Sequence, residues 1–193
     1  MSRLQGKNVL ITGASSGIGE ACARHFAQAG SNLFLAARRQ ERLDALKQEL
    51  EAKYPSIKIL THVLDVRVKA NVSAAIDFFG DIDVLAYGNG SIYCATKAAV
   101  ASVTRALMHE TVDTAIRVSE INPGLVETEF SVIRFRGDKE KADSVYKGLI
   151  PLNGDDIAET VTFVAGRPDH VNIAEMLVFP TNQAAATNVY RKP

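Results

Sequence analysis

The sequence predicts an α/β fold, a doubly wound parallel sheet with helices on both faces, formed by one domain over residues 1–193. Three observations predict it. Short apolar runs alternate with helix-period segments as far as Ala86. The connections between the runs are long enough for helical crossovers, which parallel strands require. A glycine-rich turn sits directly between the first run and the first helical segment.

The elements follow in order. Val9-Leu10-Ile11-Thr12 leads into Gly13-Ala14-Ser15-Ser16-Gly17-Ile18-Gly19, and a helical pattern runs from Ala21 to Ala29, stopped at Gly30. Asn32–Ala37 is a buried-type strand. Glu41–Lys53 is an amphipathic helix with Leu43, Leu46 and Leu50 on one face. Ile57–Leu64 is a third strand closing in Asp65-Val66, Ala70–Phe79 a helix, and Asp81–Ala86 holds a fourth strand. Ile92–His109 is helical and Arg117–Ile121 is a strand. Residues 138–148 predict a mobile charged helix over the site. Asn153 caps a helix over Ile157–Ala165, and Met176–Phe179 is the last strand.

Composition narrows the function. There are 22 basic and 22 acidic side chains, which argues against nucleic acid or an anionic membrane as the main partner. No apolar run approaches a membrane span, and the N-terminus has no signal-peptide core. Cys22 and Cys94 lie in helical patterns without metal-ligand spacing, so they read as reduced core thiols and the cytoplasm is expected. The four histidines are scattered, and no metal site is expected.

Strand, tight turn and helix N-terminus together hold pyrophosphate. Glycines let the backbone approach the ligand, and the first helical N–H groups point at it. The spacing G-x-x-x-G-x-G leaves Ser15 and Ser16 in the turn, within reach of phosphate or ribose. Gly13, Ser15, Ser16, Gly17, Ile18 and Gly19 are therefore candidate cofactor contacts. The bland alternative is a glycine-rich turn with no ligand, and the position directly after a strand favours the nucleotide.

The end of the second strand faces the adenosine ribose in such folds. An acid there favours NAD, whereas an Arg accommodates the 2′-phosphate of NADP. Ala36-Ala37-Arg38-Arg39 offers no acid and two guanidiniums, which match phosphate bidentately. NADP is the expected cofactor. Asp65 either accepts the adenine amino group or serves as a strand-end turn residue.

Tyr93 and Lys97 lie four apart in a helical pattern, hence on one face. A nearby ammonium favours tyrosinate, so the phenol can act as acid or base near neutral pH.

Thr12-Gly13-x-x-x-Gly17-x-Gly19, Asp65-Val66, Tyr93-x-x-x-Lys97 and Asn122-Pro123-Gly124-Leu125-Val126-Glu127-Thr128 together resemble the short-chain dehydrogenase/reductase family. Its fold is Rossmann-like. The resemblance implies Tyr93 as general acid/base and Lys97 as the residue that holds the nicotinamide ribose and lowers the tyrosine pKa. It also implies Pro123, Gly124, Val126 and Thr128 as contacts around the nicotinamide, with Asp65 and Val66 at the adenine side. Segments 35–39, 90–97, 123–131, 134–137 and 179–183 are similar to the branch of NADP-dependent serine and 3-hydroxy-acid dehydrogenases. The implied reaction is oxidation of the hydroxyl of a 3-hydroxy acid such as serine or allo-threonine, or the reverse reduction of a ketone. Arg134 and Arg136 either meet a substrate carboxylate or belong to a solvated loop.

The pattern departs from the family between about 86 and 91. The family's Asn-Asn-Ala-Gly turn, the following helix, the fifth strand and a catalytic Ser have no counterpart there. Asn89 and Ser91 stand too close to Tyr93 to replace them. Losing the Ser donor is expected to cost about 10²–10³ in rate. The lost helix pairs across subunits in the family, so the family's homo-oligomer is in doubt for this chain. The sheet must either bring the fourth strand beside Arg117–Ile121, moving Tyr93 and Lys97 away from their family position, or leave a gap. An alternative function follows: a catalytically impaired NADP-binding remnant of a truncated or mis-spliced product.

Overall fold

The computed structural model describes residues 2–192 apart from 87–92 and 186, and leaves the side chains of Ile76 and residues 93–98 outside the description. The first half alternates as expected. It runs β1 (Asn8–Thr12), α1 (Gly17–Gln28), β2 (Asn32–Ala37), α2 (Gln40–Lys53), β3 (Ile59–Val63), α3 (Lys69–Phe79) and β4 (Val84–Ala86). The strands pair in parallel in the order β3-β2-β1-β4.

The two-residue period of the strands divides the core between two faces. Val9, Ile11, Leu33 and Leu35 pack on one side with Ala23 and Phe26 of α1 and Leu43, Leu46 and Leu50 of α2. Leu10, Phe34 and Ala36 pack on the other with Ala75 and Phe79 of α3. The Phe34 and Phe79 rings stack with centroids 5.2 Å apart. Strand order reverses at β1, which has β2 on one side and β4 on the other. The carboxyl ends of β1 and β4 therefore border the crevice where open α/β sheets take their ligands.

Asp83 ties the start of β4 to β1. Its carboxylate accepts the Asn8 N–H at 2.7 Å and the Lys7 ammonium at 3.0 Å. The Asn8 backbone N–H, and then Lys7, hold the carboxyl below its ordinary value of 3.8. A carboxyl depressed by folding stabilises above its unfolded pKa, and that contribution is lost as pH falls through the folded value. Asp83→Asn is therefore expected to lower stability slightly at pH 7, with urea midpoints converging on the parent's below pH 3.8.

The second half holds α4 (Tyr93–Glu110), β5 (Glu120–Pro123), α5 (Glu129–Arg134), α6 (Lys139–Ser144), α7 (Gly154–Ala165), β6 (Glu175–Val178), β7 (Gln183–Ala185) and β8 (Asn188–Val189). β5 and β6 pair in parallel as a sheet of their own, and β7 and β8 pair antiparallel. Of the two expected outcomes at the missing unit, the gap is the one found: β4 and β5 belong to different sheets. Leu85 in β4 and Leu177 in β6 are 55% and 64% exposed. Strands of a covered parallel sheet bury such residues, so these faces lack the cover a complete sheet would give them.

Three local expectations are corrected. The strand expected at Arg117–Ile121 lies at Glu120–Pro123. Arg117 instead donates to the carbonyls of Val164, Ala165 and Val171, which holds it at the end of α7 and outside the ladder. The helix expected over 138–148 is only α6, started by the Asp138 side chain accepting Lys141 N–H. Beyond it the C-terminal tail takes the backbone carbonyls: Arg191 donates to those of Val145 and Lys147, and Lys192 N–H to that of Gly148. The short helix α5 occupies a stretch for which no helix was expected. Asn153 caps α7 as predicted, in a reciprocal box with Asp156. Among the described residues no helix is long and apolar enough to cross a membrane.

Candidate dinucleotide site at the first strand–helix turn

The turn from β1 to α1 is tight because two glycines nearly touch. A Cβ on Gly19 would lie 2.4 Å from the Gly13 carbonyl oxygen, a contact no side chain tolerates. Ser16 is the N-cap of α1, with extended backbone (φ −173°, ψ 166°), yet its hydroxyl makes no capping bond. The hydroxyl accepts instead from Arg39 Nη2 at 2.8 Å. The first-turn N–H groups of α1 are thus left without a side-chain cap, the arrangement that receives phosphate. Ile18 is half-buried behind the turn.

Arg39 gathers this turn around itself. Its Nε meets Ser15 Oγ at 3.3 Å and Nη2 the Ser15 carbonyl at 3.2 Å. Both terminal nitrogens also donate to Glu129 Oε2, at 3.2 and 3.3 Å. Arg42 holds the other Glu129 oxygen, Oε1, at 2.5 Å. The Glu129 carboxyl lies below its ordinary value, through Arg42 first and Arg39 next. Arg38 is exposed. Of the two guanidiniums expected at the end of β2, the structure brings Arg39 to the serines.

Asp65 sits where β3 has ended, in a turn with Arg67. It accepts the Arg67 backbone N–H at 3.1 Å and the guanidinium at 2.5–3.1 Å. These bonds, led by the side chain of Arg67, bring its carboxyl down to about 2. The Asp65 carboxylate is thus engaged within its own turn. Val66 is 50% exposed beside it.

The segment after β5 closes on the glycine turn from the other side. Pro123 ends β5, and Gly124 N–H donates to the Val178 carbonyl at 2.8 Å. A Cβ on Gly124 would meet Gln183 Oε1 at 2.3 Å and Phe179 Cδ1 at 2.7 Å. Gln183 Oε1 in turn accepts Leu125 N–H at 2.9 Å, so the tail clamps this loop. Val126 bridges Leu152, and its carbonyl accepts the Tyr146 hydroxyl at 3.0 Å. Thr128 caps α5 and lies beside Gly17, with Cβ and Cγ2 each 3.4 Å from where a Gly17 Cβ would stand. Arg134 ends α5 with its guanidinium 5.7 Å from the Phe135 ring centre, and Arg136 is exposed.

Tyr93 and Lys97 lie in the first turns of α4, one turn apart as predicted, with their side chains outside the description. Asn89 and Ser91 fall outside the described residues. Cys22 is a free thiol whose pKa burial pushes up to about 12, so it carries no nucleophile, and the Cys94 side chain lies outside the description. Among the described residues no group of His, Cys, Asp and Glu is arranged to hold a metal. A cavity of about 280 Å³ opens beside the turn between Gly17, Glu20, Thr128 and Asp155. A larger groove, about 750 Å³, lies at the opposite end of α1 near His25, Gln28 and Arg167, away from every predicted contact.

Two residues escaped the sequence reading. Glu129 was visible only as one acid in a run, and the hint was three arginines in five residues (Arg38, Arg39 and Arg42) with the single acid Glu41 among them. Gln183 gave no hint beyond its place in the tail.

A model of the family described as short chain dehydrogenase matches residues 7–91 and 84–138. The chain belongs to the short chain dehydrogenase family. The two matched stretches overlap at 84–91, which is where the family's internal unit is missing. The NADP-dependent 3-hydroxy acid dehydrogenase of Schizosaccharomyces pombe is 39% identical, across all of this chain and 99% of that one. That alignment spans 258 positions against 193 residues here, so 258 − 193 leaves at least 65 positions of it facing no residue of this chain. The serine 3-dehydrogenase of Agrobacterium fabrum is 31% identical over 95% of this chain and 98% of that one. A solved structure, the closed form of serine dehydrogenase complexed with NADP+, superposes with a TM-score of 0.84 at 30% identity, covering 96% of this chain and all of the other. These short chain dehydrogenases share the parallel central sheet with its flanking helices. The relatives named as NADP-dependent or solved with NADP+ place that cofactor widely around this branch of the family.

Proposed function

We propose that this short chain dehydrogenase binds NADP(H) at the β1–α1 turn and oxidises the hydroxyl of a 3-hydroxy acid of the serine type, or runs the reverse reduction. The observation that carries the cofactor reading is the Arg39 guanidinium, bonded at once to Ser15 and Ser16 at the end of β2. The residues fit a dinucleotide: the uncapped first turn of α1 and the Gly13–Gly19 approach leave room for pyrophosphate close to backbone.

In this reading the turn Gly13–Gly19 with Ser15, Ser16 and Ile18 holds the phosphates, and Arg39 with Arg38 holds the 2′-phosphate. Asp65 and Val66 border the adenine. Pro123, Gly124, Val126 and Thr128 pack around the nicotinamide. When bound, the nicotinamide supplies the acceptor for the substrate's hydride. Tyr93 takes the hydroxyl proton, and Lys97 one turn along favours the phenolate by its charge. The family's Ser donor has no counterpart, so turnover is expected to lie about 10²–10³ below that of a complete relative. The named relatives favour the enzyme over the inactive remnant. The buried, unpaired Cys22 fits a reducing compartment, the cytoplasm.

The test is fluorescence titration with NADPH and NADH, with turnover of serine and 3-hydroxybutyrate measured in the same sample. Tyr93→Phe is expected to reduce kcat by about 10²–10⁴ while leaving NADPH affinity unchanged. Undiminished turnover in that variant removes Tyr93 from the chemistry. Binding of neither cofactor overturns the proposal.

A further inference from the structure

We propose that Glu129 is a built-in substitute for the 2′-phosphate of NADP, holding Arg39 and Arg42 until the cofactor displaces it. The inference rests on the reading of Arg39 as the 2′-phosphate residue.

Three facts carry it. First, Glu129 presents two carboxylate oxygens to two different guanidiniums, Oε2 to Arg39 and Oε1 to Arg42. A phosphate monoester offers the same thing, several oxygens of negative charge, to the same forks. Second, Arg39 makes these bonds while also bonded to Ser15 and Ser16, so the carboxylate sits against the part of Arg39 that faces the glycine turn. Third, Glu129 is the first residue of α5, directly after Thr128, and Thr128 lies against Gly17. The carboxylate therefore latches the start of α5 to the cofactor turn across 90 residues of sequence.

A ligand that competes with an internal group sees its affinity scaled down to the fraction of time the group leaves the site free. The Glu129, Arg39 and Arg42 side chains are 35–46% exposed, so the competition is modest. A cofactor without a 2′-phosphate carries no group to take the place of the carboxylate. Glu129 is thus displaced from the two guanidiniums by NADP and not by NAD.

The experiment is titration of the full chain with adenosine 2′,5′-bisphosphate and with AMP, repeated with NADPH and NADH. Glu129→Gln keeps the size of the side chain and removes its charge. It is expected to tighten adenosine 2′,5′-bisphosphate and NADPH by about five- to tenfold and to leave AMP and NADH unchanged. The gain is expected to disappear in the double variant Glu129→Gln/Arg39→Ala. If Arg39→Ala alone weakens the 2′-phosphorylated ligands but Glu129→Gln leaves them unchanged or weaker, Glu129 merely positions Arg39; the inference falls and the cofactor reading stands. If Arg39→Ala leaves both ligand pairs unchanged, the 2′-phosphate reading and the inference fall together.

Discussion

Truncating Phe26 to alanine is expected to destabilise the chain by about 3–5 kcal/mol. Phe26 is fully buried in α1 and is the largest of the completely enclosed side chains. It packs in the cluster that joins Val9 and Ile11 of β1, Leu33 and Leu35 of β2, and Ala158 of α7. Removing the ring leaves a void between a helix and a sheet that share other rigid contacts, so the site cannot collapse to fill it. Folded proteins hold only about 5–15 kcal/mol in total, and this chain has its sheet broken between β4 and β5. Urea unfolding followed by circular dichroism checks it: the midpoint should fall with an unchanged slope. A loss below about 1 kcal/mol would show that the α1 face is loosely packed.

The second large effect concerns Gly19. Adding one methyl group there drives a Cβ to 2.4 Å from the Gly13 carbonyl, and backbone cannot swing aside as a side chain can. Either the turn opens or α1 shifts along its axis. Both displace the first-turn N–H groups by a fraction of an ångström or more, and hydrogen bonds to phosphate are steep in distance and angle. Gly19→Ala is expected to raise the Kd for NADPH by about 10²-fold or more and to cost about 1–3 kcal/mol of stability. Titration and unfolding on the same preparation separate the two. Unchanged NADPH affinity in a folded variant would place the pyrophosphate elsewhere.

Much of the fold was legible because its causes are local. Asn32–Ala37 is a continuous apolar run bounded by turn residues, and the strand has those limits. Asn153 with Asp156 three residues on spells a helix start, and the reciprocal cap is there. The glycine turn was readable because a close backbone approach leaves only glycine as a solution. Illegible features have distant causes. Arg117 stays out of its strand because its hydrogen-bond partners lie in and after α7. Helix α5 spans only six residues, two of them the exposed Phe130 and Ile133, so it shows no amphipathic period. Glu129 is assigned by arginines 87 and 90 residues away. The break in the sheet was anticipated as one of two outcomes, since nothing in the residues around Ala86 says where the next strand will seat.

The packing of α1 against α7 sets a condition on how this chain is made. Ala158 of α7 completes the cluster around Phe26, yet it is synthesised more than a hundred residues later. A nascent chain emerging from the ribosome displays β1, α1 and β2 with one side of α1 still uncovered. Chains grow at about 5–20 residues per second, so that apolar surface faces water for several seconds before its cover arrives. The glycine turn at the head of α1 cannot be locked until then. An N-terminal fragment ending before Gly154 is consequently expected to expose the face of α1 that α7 covers in the whole chain.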